Sequence, residues 1–163
     1  INLLAGMLET LAAPPYNGRA DLPALADALQ LEADELLPLG EALQLLHFAV
    51  LEEGDMRLTD TGRRFAEADT DTRKALFARA LGAHVPLAAL IHDEVHERRN
   101  HRVSAARFRD DLEEHMSPDY AEETLKAVIG WGRYADLYAY DEEADQFFLE
   151  EDQQAELPPA RAG

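Results

Sequence analysis

Apolar residues recur at helical spacing through most of the chain, broken at a few points by short strand-like runs. Leu3, Leu4, Met7, Leu8 and Leu11 predict a helix over residues 2–12, which Pro14, Pro15, Asn17 and Gly18 end in a loop. Asp21 is a good N-cap, with Pro23 in the first turn behind it. Leu22, Leu25, Ala26 and Leu29 then form one apolar face. The link Gln30–Glu32 leads to a second helix over 33–47 with Leu36, Leu39, Gly40, Leu43 and Leu46 inward, so the pair reads as a helix-turn-helix. Phe48–Leu51 and Met56–Thr59 are strand-length runs flanking Glu52–Asp55, with Gly54-Asp55 as the turn of a β-hairpin. A helix from Thr59 through Ala68 follows. Thr70 is expected to cap the next one, over 71–85, and Pro86 interrupts it. A further helix over 87–98 should turn Leu87, Leu90, Ile91 and Val95 inward.

After a short loop or strand at 100–103, the same order returns. Ser104 caps a helix carrying Phe108 and Leu112, and Ser117-Pro118 starts another carrying Ala121, Leu125, Val128 and Ile129. Ala135–Tyr140 and Gln146–Leu149, separated by the acidic turn Asp141–Asp145, read as a second hairpin. From Leu22 to Gly54 is 32 positions, and from Ala105 to Asp141 is 36. The expected fold is mainly α with two small β-hairpins (α+β), built as tandem winged-helix units. Residues 1–69 would form the first unit, 70–100 connecting helices, 101–150 the second unit, and 151–163 a disordered tail. The halves share a layout and little sequence identity.

Charge changes what this layout can do. The chain has 163 residues and a formal net charge of −18. Residues 20–56, the first helix-turn-helix and its hairpin, contain nine acids and no Lys or Arg. Duplex DNA is bound by neutralising phosphates with bases, so this unit is expected to face protein or water. The second unit is less acidic, with five bases and eight acids over 102–136. One local reversal stands out: Arg98, Arg99, Arg102, Arg107 and Arg109, with His96 and His101. It is either a docking patch or a set of cations paired internally with Asp110, Asp111, Glu113 and Glu114.

Candidate chemistry is sparse. There is no cysteine, which excludes disulfides and thiolate metal sites. No apolar run approaches the roughly 20 residues of a bilayer span. The chain opens at Ile1 with a helical pattern already under way, as expected of a piece of a longer protein or one missing a disordered start. No phosphate loop of the Gly-x-x-x-x-Gly-Lys-Ser/Thr type occurs, no Gly-x-Gly-x-x-Gly, and no nucleophile elbow. His92 and His96 lie four apart on a helix and are the weak metal candidates, but Asp93 stands where a zinc-protease helix has Glu. The adjacent carboxylate pairs belong to a solvated face more readily than to a catalytic dyad. Trp131, Arg133, Tyr134, Tyr138 and Tyr140 concentrate aromatic bulk in one stretch. They are candidate interface residues together with Arg98, Arg99 and Arg102. The competing reading puts Trp131 and Leu137 in a small core and leaves one or two tyrosines partly exposed.

Several phrases carry a family resemblance: residues 11–22 (LAAPPYNGRADL), 41–46 (EALQLL), 57–69 (RLTDTGRRFAEAD), 84–87 (HVPL) and 131–141 (WGRYADLYAYD). Together they resemble the C-terminal AAA-associated domain appended to bacterial ATP-binding-cassette ATPases of the nitrate, sulfonate, taurine and bicarbonate import type. The resemblance covers about residues 1–150. It implies a non-catalytic accessory or regulatory domain, with ATP and magnesium held by the preceding ATPase domain and no cofactor held here. The implied partners are that ATPase domain and the transporter subunits, with a homodimer also allowed. The implied place is cytoplasmic, peripheral to the inner membrane through the transporter, with no membrane insertion of its own. The alternative is a winged-helix transcriptional regulator binding DNA through Arg98–Arg109, Lys126 and Arg133. A small-molecule or anion sensor between the units is a third idea that no residue locates.

Overall fold

The computed structural model of the chain describes residues 1–151 and 153. The expected disordered tail, 151–163, therefore falls largely outside the described residues. The elements run α1 (Asn2–Ala12), β1 (Arg19–Asp21), α2 (Leu22–Leu29), α3 (Ala33–Leu45), β2 (Ala49–Glu52), β3 (Asp55–Leu58), α4 (Asp60–Glu67) and α5 (Thr70–His84), then α6 (Pro86–Glu97), β4 (Arg102–Ser104), α7 (Ala105–Glu113), α8 (Pro118–Tyr134), β5 (Ala139–Asp141) and β6 (Gln146–Phe148). The fold is mainly α with two small antiparallel sheets, each of three strands where a hairpin was expected. The chain divides into two compact units between Val85 and Pro86, so α5 counts with the first and α6 with the second.

In the first unit the caps act as the sequence dictates. The Asp21 carboxylate accepts from Ala24 N at 2.7 Å, and Thr59 Oγ1 accepts from Gly62 N at 3.0 Å. The cap of α5 is Asp69, not Thr70: its side chain accepts from Thr72 N at 2.8 Å. The hairpin closes at Glu53-Gly54, one residue earlier than expected. Both have positive φ (52° and 81°), the two-residue turn whose twist suits antiparallel strands. The missed third strand, β1, pairs antiparallel with β3 in the order β1-β3-β2. Leu4, Met7, Leu8 and Leu11 of α1 are buried with Leu25, Leu36, Leu43, Met56 and a cluster of three rings. Phe48 lies 5.1 Å from Phe65 and 6.0 Å from Phe77, which fixes α5 on this core. Gly62 is required here, because a Cβ would sit 1.9 Å from the Phe48 carbonyl oxygen.

The second unit repeats the order in its own strands, β4-β6-β5. The repetition reaches single hydrogen bonds. In the first unit the first residue of α2, Leu22, donates its N–H to Gly54 O, the residue just before β3. In the second, the first residue of α7, Ala105, donates to Asp145 O, the residue just before β6. Both acceptor residues have positive φ. Ser104 and Ser117 cap α7 and α8 as expected. Residues 135–138, expected as strand, instead form a turn after α8, with Asp136 left-handed at φ 59°. On α6, Ala88, Ile91 and Val95 are buried while Leu90 faces outward, because the helix begins at Pro86 and Ala88 takes the inward position. Among the described residues no charged side chain is buried, and no single helix is long and apolar enough to cross a membrane.

Candidate functional site

Most of the basic segment is engaged internally, with partners other than those expected. Arg107 pairs with Glu94 of α6. Arg109 reaches Glu122 on α8 at 2.8 Å and grips Asp145 with both terminal nitrogens at 2.8 and 3.2 Å. Tyr140 donates its hydroxyl to the same carboxylate at 2.6 Å. These bonds lower the Asp145 pKa, chiefly through Arg109, while burial and the Asp145 bond push the Tyr140 phenol up to about 12. The acids 110, 111, 113 and 114 lie on the outer side of α7 or at its end and take no part in these pairs.

Arg102 has a counterpart. It donates to Gln146 at 3.1 Å, lies 3.8 Å from Asp141, and covers the Phe148 ring at 4.9 Å. In the first unit Arg19 holds the matching place three residues before the helix. It contacts Asp55 at 2.8 Å and Glu52 at 3.6 Å. Both arginines clasp their three-stranded sheet at the turn end of its hairpin. Arg98, Arg99 and Arg133 are exposed and keep no ion pair among the described residues.

The aromatic stretch divides differently from the expectation. Tyr138 is the core residue, wholly buried, with its hydroxyl donated to Val128 O at 2.8 Å and its phenol pKa raised by burial. It fills space that Gly132 leaves free: a Cβ there would come within 2.0 Å of the Tyr138 ring. Trp131, Tyr134, Leu137 and Tyr140 are half-buried, and Phe147 packs edge-on against Tyr138 at 5.2 Å. Tyr138 is thus unavailable to a partner, and Tyr140 presents a hydroxyl already bound.

His92 and His96 are in ring contact at 4.2 Å, and His92 Nδ1 lies 3.4 Å from Asp93. His101 Nδ1 is 3.2 Å from Val95 O, which takes that nitrogen away from the pair. Among the described residues no group of three or more potential ligands could hold a metal ion. His96 Nδ1 is buried without a partner, and burial followed by the charge of His92 lowers its pKa to about 4. A second histidine contact was missed in the sequence: His47 and His84 stack at 3.6 Å, 9° from parallel. Nothing local marks residues 37 positions apart as neighbours.

Acidity in the base-free stretch is uneven. Two of its hairpin's three acids are paired with arginines just outside the stretch, since Arg19 holds Asp55 and Arg57 holds Glu52 at 2.9 Å. Asp21 caps α2. The remaining acids with no basic partner among the described residues are Glu53 at the hairpin turn and a set on α2, α3 and the link between them: Asp27, Glu32, Asp34, Glu35 and Glu41. Glu35 accepts from Glu32 N at 3.2 Å, and Gln44 ties α3 to Leu51 N at 2.8 Å. On the same helix Leu37 and Leu45 stay 45% and 48% exposed.

A family model described as the C-terminal AAA-associated domain matches residues 23–141. No curated protein and no solved structure matches the chain at a significant level.

Proposed function

The chain belongs to the C-terminal AAA-associated domain family, and from that premise we propose that it is a non-catalytic regulatory module working by protein contact on an ATP-binding-cassette importer ATPase. The nitrate, sulfonate and bicarbonate importers are the proposed class. ATP and magnesium belong to the preceding ATPase domain, and the transporter subunits on the cytoplasmic face are the surroundings in which the module acts. Its two units are read as winged helices adapted to protein surfaces. The observation that carries this reading is where the charge lies. The helix pair that would meet DNA in such a fold holds five unneutralised carboxylates, which repel a phosphate backbone. Arg102, Arg107 and Arg109 are committed to partners of their own.

The test is deletion of this domain from the full-length ATPase. ATP binding and hydrolysis should persist while the dependence of transport on its regulating signal changes. Loss of ATP binding on deletion would overturn the reading. The isolated chain should show no ATPase activity, and no gel shift of random duplex at low salt, where even non-specific binders reach about 10⁻⁴–10⁻⁶ M.

A further inference from the structure

We propose that the outward face of α3 is a docking surface for a basic amphipathic helix of a partner protein. The inference rests on the protein-contact reading above and names its surface. Successive turns of α3 place Asp34, Pro38, Glu41 and Leu45 along one stripe, with Leu37 beside it, since residues three, four, seven and eight apart share a helix face. All five are exposed. The opposite face, Leu36, Gly40 and Leu43, is spent on the core. Two large apolar side chains nearly half exposed on one short helix are therefore not part of the fold's own packing.

Charge selects the occupant. Glu41 lies between the two leucines, Glu32, Asp34 and Glu35 lie at the N-terminal end of α3, and Asp27 is exposed on α2, with no Lys or Arg anywhere on α2 or α3. The neighbouring hairpin adds no free base and one free acid, the exposed Glu53 at its turn, because Glu52 and Asp55 are held by Arg57 and Arg19. A partner helix with leucine-type residues at i, i+3, i+4 and i+7 would cover Leu37 and Leu45. Its flanking lysines or arginines would meet Glu41 and the acidic end. An acidic or purely apolar helix would leave these carboxylates facing like charge or desolvated without a partner.

The probe is a synthetic peptide of about 18 residues with that leucine spacing and lysine elsewhere. A matched peptide has every lysine replaced by glutamate. Amide shifts of the full chain should move on α3 around Leu37, Glu41 and Leu45 with the lysine peptide and stay unchanged with the glutamate peptide. Leu37→Ser with Leu45→Ser, which alters only exposed side chains and keeps the charge, should weaken binding roughly tenfold or more. Glu41→Gln should weaken it less, with a smaller salt dependence. Shifts that map away from α3, or equal binding by the serine variant, would overturn the proposal. So would a homodimer that dissociates in that variant, since a second copy would then be the occupant. If the importer reading alone fails, domain deletion leaves transport unaltered while the α3 shifts remain. If only this inference fails, deletion still alters transport and the shifts go elsewhere.

Discussion

Single atoms decide how the second unit is built. Gly132 is glycine because the Tyr138 ring occupies the volume of a side chain there. Gly132→Ala is expected to cost at least the 1–3 kcal/mol typical of overpacking, read as a drop in denaturant midpoint. Tyr138→Phe removes the bond to Val128 O and should cost about 1 kcal/mol. His96 makes stability depend on pH. Its native pKa is lowered to about 4, whereas an unfolded imidazole titrates near 6.5. Between those values the unfolded chain binds the proton more readily, so acid favours unfolding. Stability should fall as pH drops from about 6.5 toward 4. The groups acting on His96 are His92 and His101, which lower its pKa, and Asp93, which raises it. Thermal melts of His96→Gln across that range should show a weaker pH dependence.

Each sheet depends on its turn and its arginine. Glu53-Gly54 has both residues at positive φ, a geometry that favours Asn-Gly. Glu53→Asn should therefore raise the melting temperature, and Gly54→Ala should lower it by straining the backbone by about 1 kcal/mol. Arg109→Met frees Asp145, whose carboxyl pKa should return upward toward the ordinary range, measurable by a carboxylate NMR titration. In the wild type this pair's stabilisation is present above the unfolded aspartate value near 3.9 and is lost as pH falls through the lower native value. These elements also mark what the sequence could and could not disclose. Helices announced themselves because cap, periodicity and terminator are all local: Asp21, Leu25, Leu29 and a three-residue link suffice for α2. β1 did not, and β4 showed only as a short loop or strand at 100–103, because a three-residue strand has no period to read and exists only by pairing with a hairpin dozens of residues later. Likewise the basic segment was visible, but its partners Glu122 and Asp145 were not, since folding rather than adjacency brings them together.

At the scale of the whole molecule, the division at Val85/Pro86 predicts two foldable pieces. Residues 1–85 expressed alone should give a dispersed amide spectrum and a cooperative melt. A collapsed, undispersed spectrum would show that the unit needs the rest of the chain. The acidic α2–α3 surface and the exposed leucines were partly legible, since the absence of bases over 20–56 is a fact of composition. That Glu52 and Asp55 of the hairpin are paired and the helices' acids are not required the fold, because Arg19 and Arg57 lie just beyond the ends of that stretch.

The arginine clasp appears twice with different neighbours. In the first unit Arg19 faces Arg57 across the β1–β3 ladder, and Glu52 holds both cations. In the second, Arg102 faces Phe148 and rests on its ring. One chain thus carries two solutions to the same local problem, and each serves as a donor for transplanting into the other. Arg57→Phe should be accepted by the first sheet, since it exchanges a like-charge neighbour for the aromatic one its twin already uses. Glu52→Gln alone should not be, since it leaves two guanidinium groups side by side with a single carboxylate between them.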